Sequence, residues 1–262
     1  MSRTKALTAA TLLGHNAVAI LPGLCAHLSR RTGLELRIEA RDGDRSSDAP
    51  TAWRHDLLWA CGLLSLRAVV AADRAQVGEI VAAPVFAGER APCYRSLVVA
   101  RRDGPVRTLA DVAGGRVAIN EGASWSGCHA LLAHLARSDL SADFAAVLTS
   151  GSHRRSLEAV ADGRADAAAI DHTVWAHLAR EEPTLTRTLR IVDRTADRPA
   201  PPFLLGRDID PPERAALLDA LLGLAPGDVE GISHVQACTA EAYRPLLDAA
   251  ERQAAIVSAW SD

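Results

Sequence analysis

The stretch that decides the fold is Asn120-Glu121-Gly122-Ala123-Ser124-Trp125-Ser126-Gly127-Cys128. It follows a short run with a strand-like pattern, residues 116–119. It leads into a segment whose apolar residues have the spacing of one helix face: Cys128, Leu131, Leu132 and Leu135. The first turn of a helix offers unpaired N–H groups and a partial positive charge, which together with serine hydroxyls suit a small oxyanion. A helix N-cap at Ser124 is the alternative interpretation.

Strand-like and helix-like segments alternate along the rest of the chain. The strand-like segments are 6–13, 34–40, 55–61, 77–84, 94–100, 116–120, 165–170 and 189–193. We predict helices between them, a further helix capped by Asp210 with Pro211 at its first position, and a last helix over 239–260. This alternation predicts an α/β fold with mostly parallel sheets.

Composition and charge are typical of a globular protein. Hydrophobic residues make up 48% and charged residues 23% of a chain of 262 residues, which is long enough for one large domain or two lobes. The formal net charge is −3, so we expect no nucleic-acid partner, which would need a strongly basic face. No apolar run approaches the roughly 18 residues of a transmembrane helix, so we expect a protein that does not span the membrane.

Five cysteines lie at positions 25, 61, 93, 128 and 238. They show neither a CxxC motif nor the spacing of a metal site, and their odd count fits reduced thiols better than a disulfide framework. We therefore expect no metal ion and no cofactor.

The N-terminal residues allow two interpretations. A basic start over residues 1–5 and a short apolar run over 6–13 imitate a signal peptide, but no small-x-small cleavage site with a spacer follows. The same run is predicted to be the first strand of the fold. As written, the sequence predicts a cytoplasmic protein, or a periplasmic one from which an export signal has been removed.

Four segments, in order, resemble the phosphate/phosphite/phosphonate-binding proteins of ABC importers. They are DLLWACG at 56–62, CYRSLVV at 93–99, Ser-x-Ser-Gly at 124–127, and a segment over 151–171 that begins Gly-Ser-His. The resemblance covers roughly residues 6–225. It implies a two-lobed type II periplasmic-binding-protein fold, in which a two-segment hinge closes the lobes on a ligand in the cleft between them. Lobe one is then 1–97 plus 203–262, and lobe two is 98–202.

The resemblance also implies which residues bind the ligand. Ser124, Ser126, Gly127, Tyr94 and His153 match positions that grip an oxyanion in this family. Phosphonate oxygens accept hydrogen bonds from hydroxyl, imidazole and backbone donors, so the match makes physical sense. Asp171 matches an acidic position that can meet a ligand substituent such as an amine. Neighbouring residues of the predicted loops complete the expected set: Trp125, Cys61, His15 and Asn16.

Each of these residues also has a structural interpretation that stays open at this point. His153 and Asp171 can cap helices, Tyr94 can be a core aromatic, and His15 can lie in a solvated loop. Trp125 can wall the pocket and stack on a planar ligand, or it can pack beneath the helix.

The leading hypothesis is a substrate-binding protein for phosphate, phosphite or an organophosphonate. It would belong to an ABC-type transport system, with an ABC permease as partner if exported, or be a cytoplasmic homologue. One alternative is a cytosolic enzyme on the same fold, of the lyase or dehydratase kind, for which His153, Asp171 and Cys128 supply acid–base or nucleophilic groups. The other alternative is a ligand sensor.

Overall fold

The structure is a computed structural model that describes residues 6–39, 53–71 and 77–260. The chain divides into two compact units. Unit 1 comprises Met1–Cys93 and Pro199–Arg244, and unit 2 comprises Tyr94–Arg198 and Pro245–Asp262. The expected lobes put residues 245–262 in lobe one, whereas they belong to unit 2. Val257 and Trp260 account for this difference, because they pack against apolar residues of the unit 2 core.

Strands and helices alternate in both units. The strands are β1 (Leu7–Thr11), β2 (Leu36–Ile38), β3 (Leu57–Trp59), β4 (Glu79–Phe86), β5 (Cys93–Tyr94), β6 (Ser96–Arg101), β7 (Arg116–Ile119), β8 (Ala146–Thr149), β9 (Ala167–Asp171), β10 (Leu189–Arg194), β11 (Arg198–Pro199), β12 (Phe203–Leu205) and β13 (Ile232–Ala237). The α-helices are α1 (His15–Thr32), α2 (Gly62–Val70), α3 (Ala130–Arg137), α4 (His153–Ala161), α5 (His172–Glu181), α6 (Pro183–Arg187), α7 (Pro211–Leu222), α8 (Arg244–Arg252) and α9 (Ala254–Ser258).

The main sheet of unit 1 has the strand order β13-β4-β12-β3-β1-β2. β1 runs parallel to both β2 and β3, while β12 and β13 run antiparallel to their neighbours. Since parallel strands end at the same edge, the loops after β1 and β3 lie together, and these loops lead into α1 and α2. A hydrogen bond of 2.9 Å from Thr11 Oγ1 to the Trp59 carbonyl joins the two strand ends.

The main sheet of unit 2 has the strand order β10-β6-β9-β7-β8. β7 runs parallel to β8 and β9, and β6 runs antiparallel to β9 with Ser96 opposite Asp171. The start of β6 therefore meets the carboxyl ends of β7, β8 and β9 at one edge. Apolar clusters that include Val98, Val117 and Ile170 cover the sheet and fix its position.

Two predictions about the fold are wrong in detail. Both sheets are mixed rather than mostly parallel. In unit 1 the strands β12 and β13, which were not predicted, add antiparallel pairs, and in unit 2 β6 runs antiparallel to both β9 and β10. The predicted helix over 239–260 is interrupted at Gln253, which separates α8 from α9, and it begins with a 3-10 turn, Ala240–Tyr243. None of the helices built from the described residues combines the length and the apolar character of a membrane span.

Candidate functional site

Three helices begin at the same edge of the unit 2 sheet, one after each of β7, β8 and β9. The first is a π-helical turn, Trp125–His129, that continues as α3, and the others are α4 and α5. Each start has a side-chain cap: Ser124 accepts from Gly127 N, Ser152 from Arg155 N, and Asp171 from Thr173 N. This edge, with residues 120–127, 150–153 and 171–173, is called the unit 2 site below. Its helix starts bring partial positive charge together.

A hydrogen-bonded pair of side chains lies at the centre of the unit 2 site. The distance between Ser126 Oγ and His153 Nε2 is 2.9 Å, and both residues are only 8% exposed. The Ser96 hydroxyl donates to the backbone carbonyl of Ser126 at 2.9 Å. The loop after β7, the start of α4 and the start of β6 are thus connected through Ser126, which leaves this side chain little freedom.

The backbone around Ser126 is a π turn, which sequence reasoning missed. The His129 N–H donates to the Ser124 carbonyl at 3.1 Å, an i→i+5 bond. Such turns are rare, and they occur frequently at functional sites. Gly127 is required here, because a Cβ at this position would lie 2.4 Å from Asn120 Cγ. The close contact between Gly127 and the Asn120 amide fixes the turn against the end of β7.

His153 is held in an environment that disfavours its charged form. Burial lowers the pKa of the imidazole below its usual value, while the nearby Asp171 carboxylate and the Ala169 backbone act in the opposite direction. Its Nδ1 atom is buried and has no hydrogen-bond partner among the described residues. A negatively charged ligand beside the ring would raise this pKa, since an opposite charge favours the protonated form.

Ser124 and Asp171 both act as helix caps, as the alternative interpretation of these residues predicted. Asp171 Oδ1 accepts from both the N–H and the hydroxyl of Thr173, at 2.8 and 2.7 Å. His153 is different, because it is the first residue of α4 and the cap of that helix is Ser152. The His153 ring is therefore available for the contact with Ser126.

The two aromatic residues of the predicted set lie in the interior. Tyr94 and Trp125 are each 2% exposed. The Trp125 ring stacks on His129 of the same turn, with ring centroids 6.4 Å apart, and with Ala130 and Ala133 of α3 it lines a small cavity of unit 2. Its burial and the His129 contact fit packing beneath the helix, and its place in the cavity lining fits the wall interpretation.

Cys128 is buried and chemically protected. It is 1% exposed, packs with Ile119 and Leu132, and burial raises the pKa of its thiol to about 12. A thiol of this kind is not ionised near neutral pH, and the thiolate is the nucleophilic form. The geometry therefore disfavours the nucleophile role that the enzyme hypothesis gave to Cys128.

Three predicted residues belong to unit 1, at the edge where β1 and β3 end. His15 is the first residue of α1, Asn16 is the second and is buried, and Cys61 directly precedes α2 and is half-buried. These residues flank two further helix starts.

Polar residues beside the strand ends that were not among the predicted ligands include Ser96, Asn120 and Ser150. The Ser150 hydroxyl is 2.7 Å from Ser156 Oγ and donates to the Ile119 carbonyl. The sequence contained a pattern that could have identified them, because each of the three is a polar residue directly beside a strand end. No group of three or more His, Cys, Asp or Glu side chains within the described residues is arranged to hold a metal ion.

The fold and the site together define a class, the type II periplasmic binding proteins. A family model for the ABC transporter, phosphonate, periplasmic substrate-binding proteins matches residues 15–256. The chain belongs to this family. The expected family and the expected two-lobed fold are thereby confirmed. No curated protein sequence matches the chain.

Solved structures show the same fold at low sequence identity. A binding protein component of an ABC phosphonate transporter from Pseudomonas aeruginosa is 19% identical with a TM-score of 0.74, covering 98% of this chain and 97% of that one. PhnD1 from Prochlorococcus marinus, in complex with methylphosphonate, is 15% identical with a TM-score of 0.77, covering 95% and 98%. A Xanthomonas citri protein bound to ATP is 21% identical with a TM-score of 0.60, covering 94% and 97%.

Proposed function

We propose that the chain binds a small phosphonate or a related oxyanion at the unit 2 site, as the substrate-binding component of an ABC-type transport system. The observation that carries the proposal is the Ser126–His153 pair, held at 2.9 Å where three helices begin. Phosphonate oxygens are acceptors, and hydroxyl, imidazole and backbone N–H groups are their natural donors. The helix starts add positive potential without a mobile cation.

The Asp171 carboxylate narrows the class of ligand. It is buried close enough to influence the pKa of His153, and both of its capping bonds use Oδ1. A carboxylate repels a doubly ionised phosphate and favours a ligand that carries a protonated oxygen or an ammonium group. We therefore place methylphosphonate monoanion and aminoethylphosphonate ahead of inorganic phosphate.

The remaining predicted residues take supporting roles in this proposal. His15, Asn16 and Cys61 contribute from the helix starts of unit 1. Tyr94 and Trp125 act from the interior by holding the backbone of the unit 2 site in place, which agrees with their burial. Gly127 and Ser124 supply the tight turn that presents the Ser126 hydroxyl.

Isothermal titration of purified protein tests the proposal. The panel contains methylphosphonate, aminoethylphosphonate, phosphite and phosphate, with ATP as a contrast because one structural neighbour was solved with it. Saturation at one hundred times Kd should add about 2.7 kcal/mol to the free energy of unfolding, which a thermal-shift assay reports independently. Absence of heat and of a thermal shift with all four oxyanions at millimolar concentration would contradict the proposal.

A pair of serine variants locates the site. Ser126→Ala removes a hydrogen bond to a charged ligand and should weaken binding by about 10- to 100-fold. Ser141→Ala is the matched control, because Ser141 is exposed and bonds only Asp143 among the contacts described for it. If the two variants bind the ligand with equal affinity, Ser126 is not part of the binding site.

The transport role assigns an ABC permease as the partner and the periplasm as the location. The family is one of periplasmic substrate-binding proteins. Fractionation of cells that produce the native protein distinguishes this location from the cytoplasmic one that the sequence as written predicts.

A further inference from the structure

The last part of the chain packs on the loop that carries the Ser-x-Ser-Gly motif. Val257 Cγ1 lies 2.8 Å from the position that a Cβ on Gly122 would occupy, so the Gly122 backbone and Val257 are in direct contact. Val257 and Trp260 also pack against the apolar cluster that contains Ile119 and Cys128. These contacts cover the strand, the loop and the helix on which the unit 2 site is built.

A buried polar contact joins the same two regions. Gln253 Oε1 lies 2.8 Å from His129 Nδ1, and both side chains are buried. Gln253 stands where α8 ends and α9 begins, so the interruption between these helices brings its amide to His129. Because an amide oxygen only accepts hydrogen bonds, His129 must donate through a protonated Nδ1.

The contact between Gln253 and His129 is connected to Ser126 through the π turn. His129 is the last residue of the turn, and its N–H donates to the carbonyl of Ser124. The hydroxyl oxygen of Ser124 accepts from the Gly127 N–H. A π turn is rare in its own right and is retained where surrounding structure supports it. A ring fixed by Gln253 holds one end of the turn, and the Asn120–Gly127 contact holds the middle.

We propose that Gln253 is a positioning residue for oxyanion binding. Its amide oxygen fixes the His129 ring and thereby the turn that presents the Ser126 hydroxyl to the ligand. This role rests on the proposed function, because it concerns the same site. It gives the C-terminal segment of unit 2 a part in ligand affinity, although this segment lies more than a hundred residues from the motif in sequence.

Three variants of the full chain test this role by titration with methylphosphonate. Gln253→Met keeps the length of the side chain and removes the acceptor, so affinity should fall about tenfold. Gln253→Glu keeps an acceptor oxygen and should restore the affinity to within about threefold of wild type. Leu247→Ala is the stability control, because Leu247 is buried in the same segment. It should lower the urea midpoint and leave Kd unchanged.

Nitrogen-15 NMR of the histidine rings supplies a readout that a purely structural role would not move. The wild-type protein should show a protonated Nδ1 on His129, and Gln253→Met should lose this signal while the other histidines keep theirs. Wild-type protein with His129 protonated on Nε2 alone overturns the proposal.

The outcomes separate this role from the proposed function. If wild type binds methylphosphonate and Gln253→Met binds it equally well, the positioning role fails and the proposed function stands. The positioning role also fails if Leu247→Ala weakens binding as much as Gln253→Met, or if Gln253→Glu does not restore affinity. If wild type binds no oxyanion of the panel, the proposed function itself fails, and the positioning role fails with it.

Discussion

In both units helices begin directly after parallel strands, but the N-caps of these helices differ between the units. In unit 2 the helices after β7, β8 and β9 all begin with a side-chain cap, from Ser124, Ser152 and Asp171. In unit 1, within the described residues, neither Gly14 before α1 nor Cys61 before α2 makes a side-chain capping bond. Caps satisfy N–H groups that a ligand could otherwise use.

Under the proposed function, this difference implies different ways for each unit to contact an anion. The capped helices of unit 2 leave the direct contacts to the Ser126 and His153 side chains, whose positions are fixed by Ser96 and by the π turn. Neither α1 nor α2 of unit 1 has a serine or aspartate at its cap, so no cap side chain occupies the N–H groups at these two helix starts. Ligand binding should therefore be sensitive to the loss of side-chain donors in unit 2, and in unit 1 to side chains that occupy the N–H groups at the starts of α1 and α2.

The largest effect is expected from adding one methyl group at a glycine of each unit. Gly127→Ala places a Cβ 2.4 Å from Asn120 Cγ, whereas Gly14→Ala meets no atom within 4 Å. Overpacking of this kind costs about 1–3 kcal/mol, so Gly127→Ala should lower the urea midpoint and abolish high-affinity binding. Gly14→Ala should cost less, about 0.5–1 kcal/mol, because alanine is a poorer N-cap residue than glycine. Equal urea midpoints for the two variants would show that the turn around Gly127 is not tightly packed.

A smaller effect concerns the pH dependence of stability. Burial lowers the pKa of His153 in the folded state, and in the unfolded chain an imidazole has a pKa of about 6.5. The unfolded chain therefore binds the proton first, so this stabilisation is fully present above about pH 6.5 and is lost as the pH falls toward the folded-state pKa.

Urea titrations between pH 5 and 8, roughly the range in which histidine changes charge, measure this loss. His153→Asn, in unit 2, should reduce the dependence of the free energy of unfolding on pH. His55→Asn is the counterpart in unit 1, where burial also lowers the histidine pKa against the opposing charges of Glu39 and Asp56. An unchanged profile in His153→Asn would mean that the ring takes up its proton as easily in the folded protein as in the unfolded one.

The smallest effect is a gain of stability in unit 1. The backbone at Cys61 is extended, with φ −54° and ψ 132°, the conformation in which a serine can cap a helix. Cys61→Ser should add a cap to α2 and stabilise the protein by about 0.5 kcal/mol. It should also weaken ligand binding, because the new hydroxyl occupies N–H groups at the helix start. If Cys61→Ser raises the stability and leaves the ligand affinity unaltered, the start of α2 is not part of the binding surface.

The sequence indicated that the predicted residues of the unit 2 site lie near one another because they directly follow strands, although β8 was not among the predicted strands. The Ser-x-Ser-Gly motif after β7, Gly-Ser-His after β8 and Asp171 at the end of β9 meet at one edge once the three strands are parallel. Whether Ser124 and Asp171 serve as caps depends on local geometry that periodicity does not contain. Both are caps in the structure.

Other features could not be predicted, for physical reasons. β12 has three residues and follows consecutive prolines, so it shows no alternating pattern. The π turn has the same apolar spacing as the start of an α-helix. The contact between Gln253 and His129 joins residues 124 positions apart, and only the break between α8 and α9 brings them together. Long-range packing therefore explains the break between α8 and α9, whereas local backbone geometry decides the caps and the π turn.

The central claim is that a phosphonate oxygen is held by the Ser126–His153 pair of unit 2. A crystal structure of the protein with methylphosphonate tests it most directly. The account predicts a phosphonate oxygen at hydrogen-bond distance, about 2.5–3.2 Å, from Ser126 Oγ, with Ser126 Oγ still bonded to His153 Nε2. A phosphonate that contacts neither side chain would contradict the account.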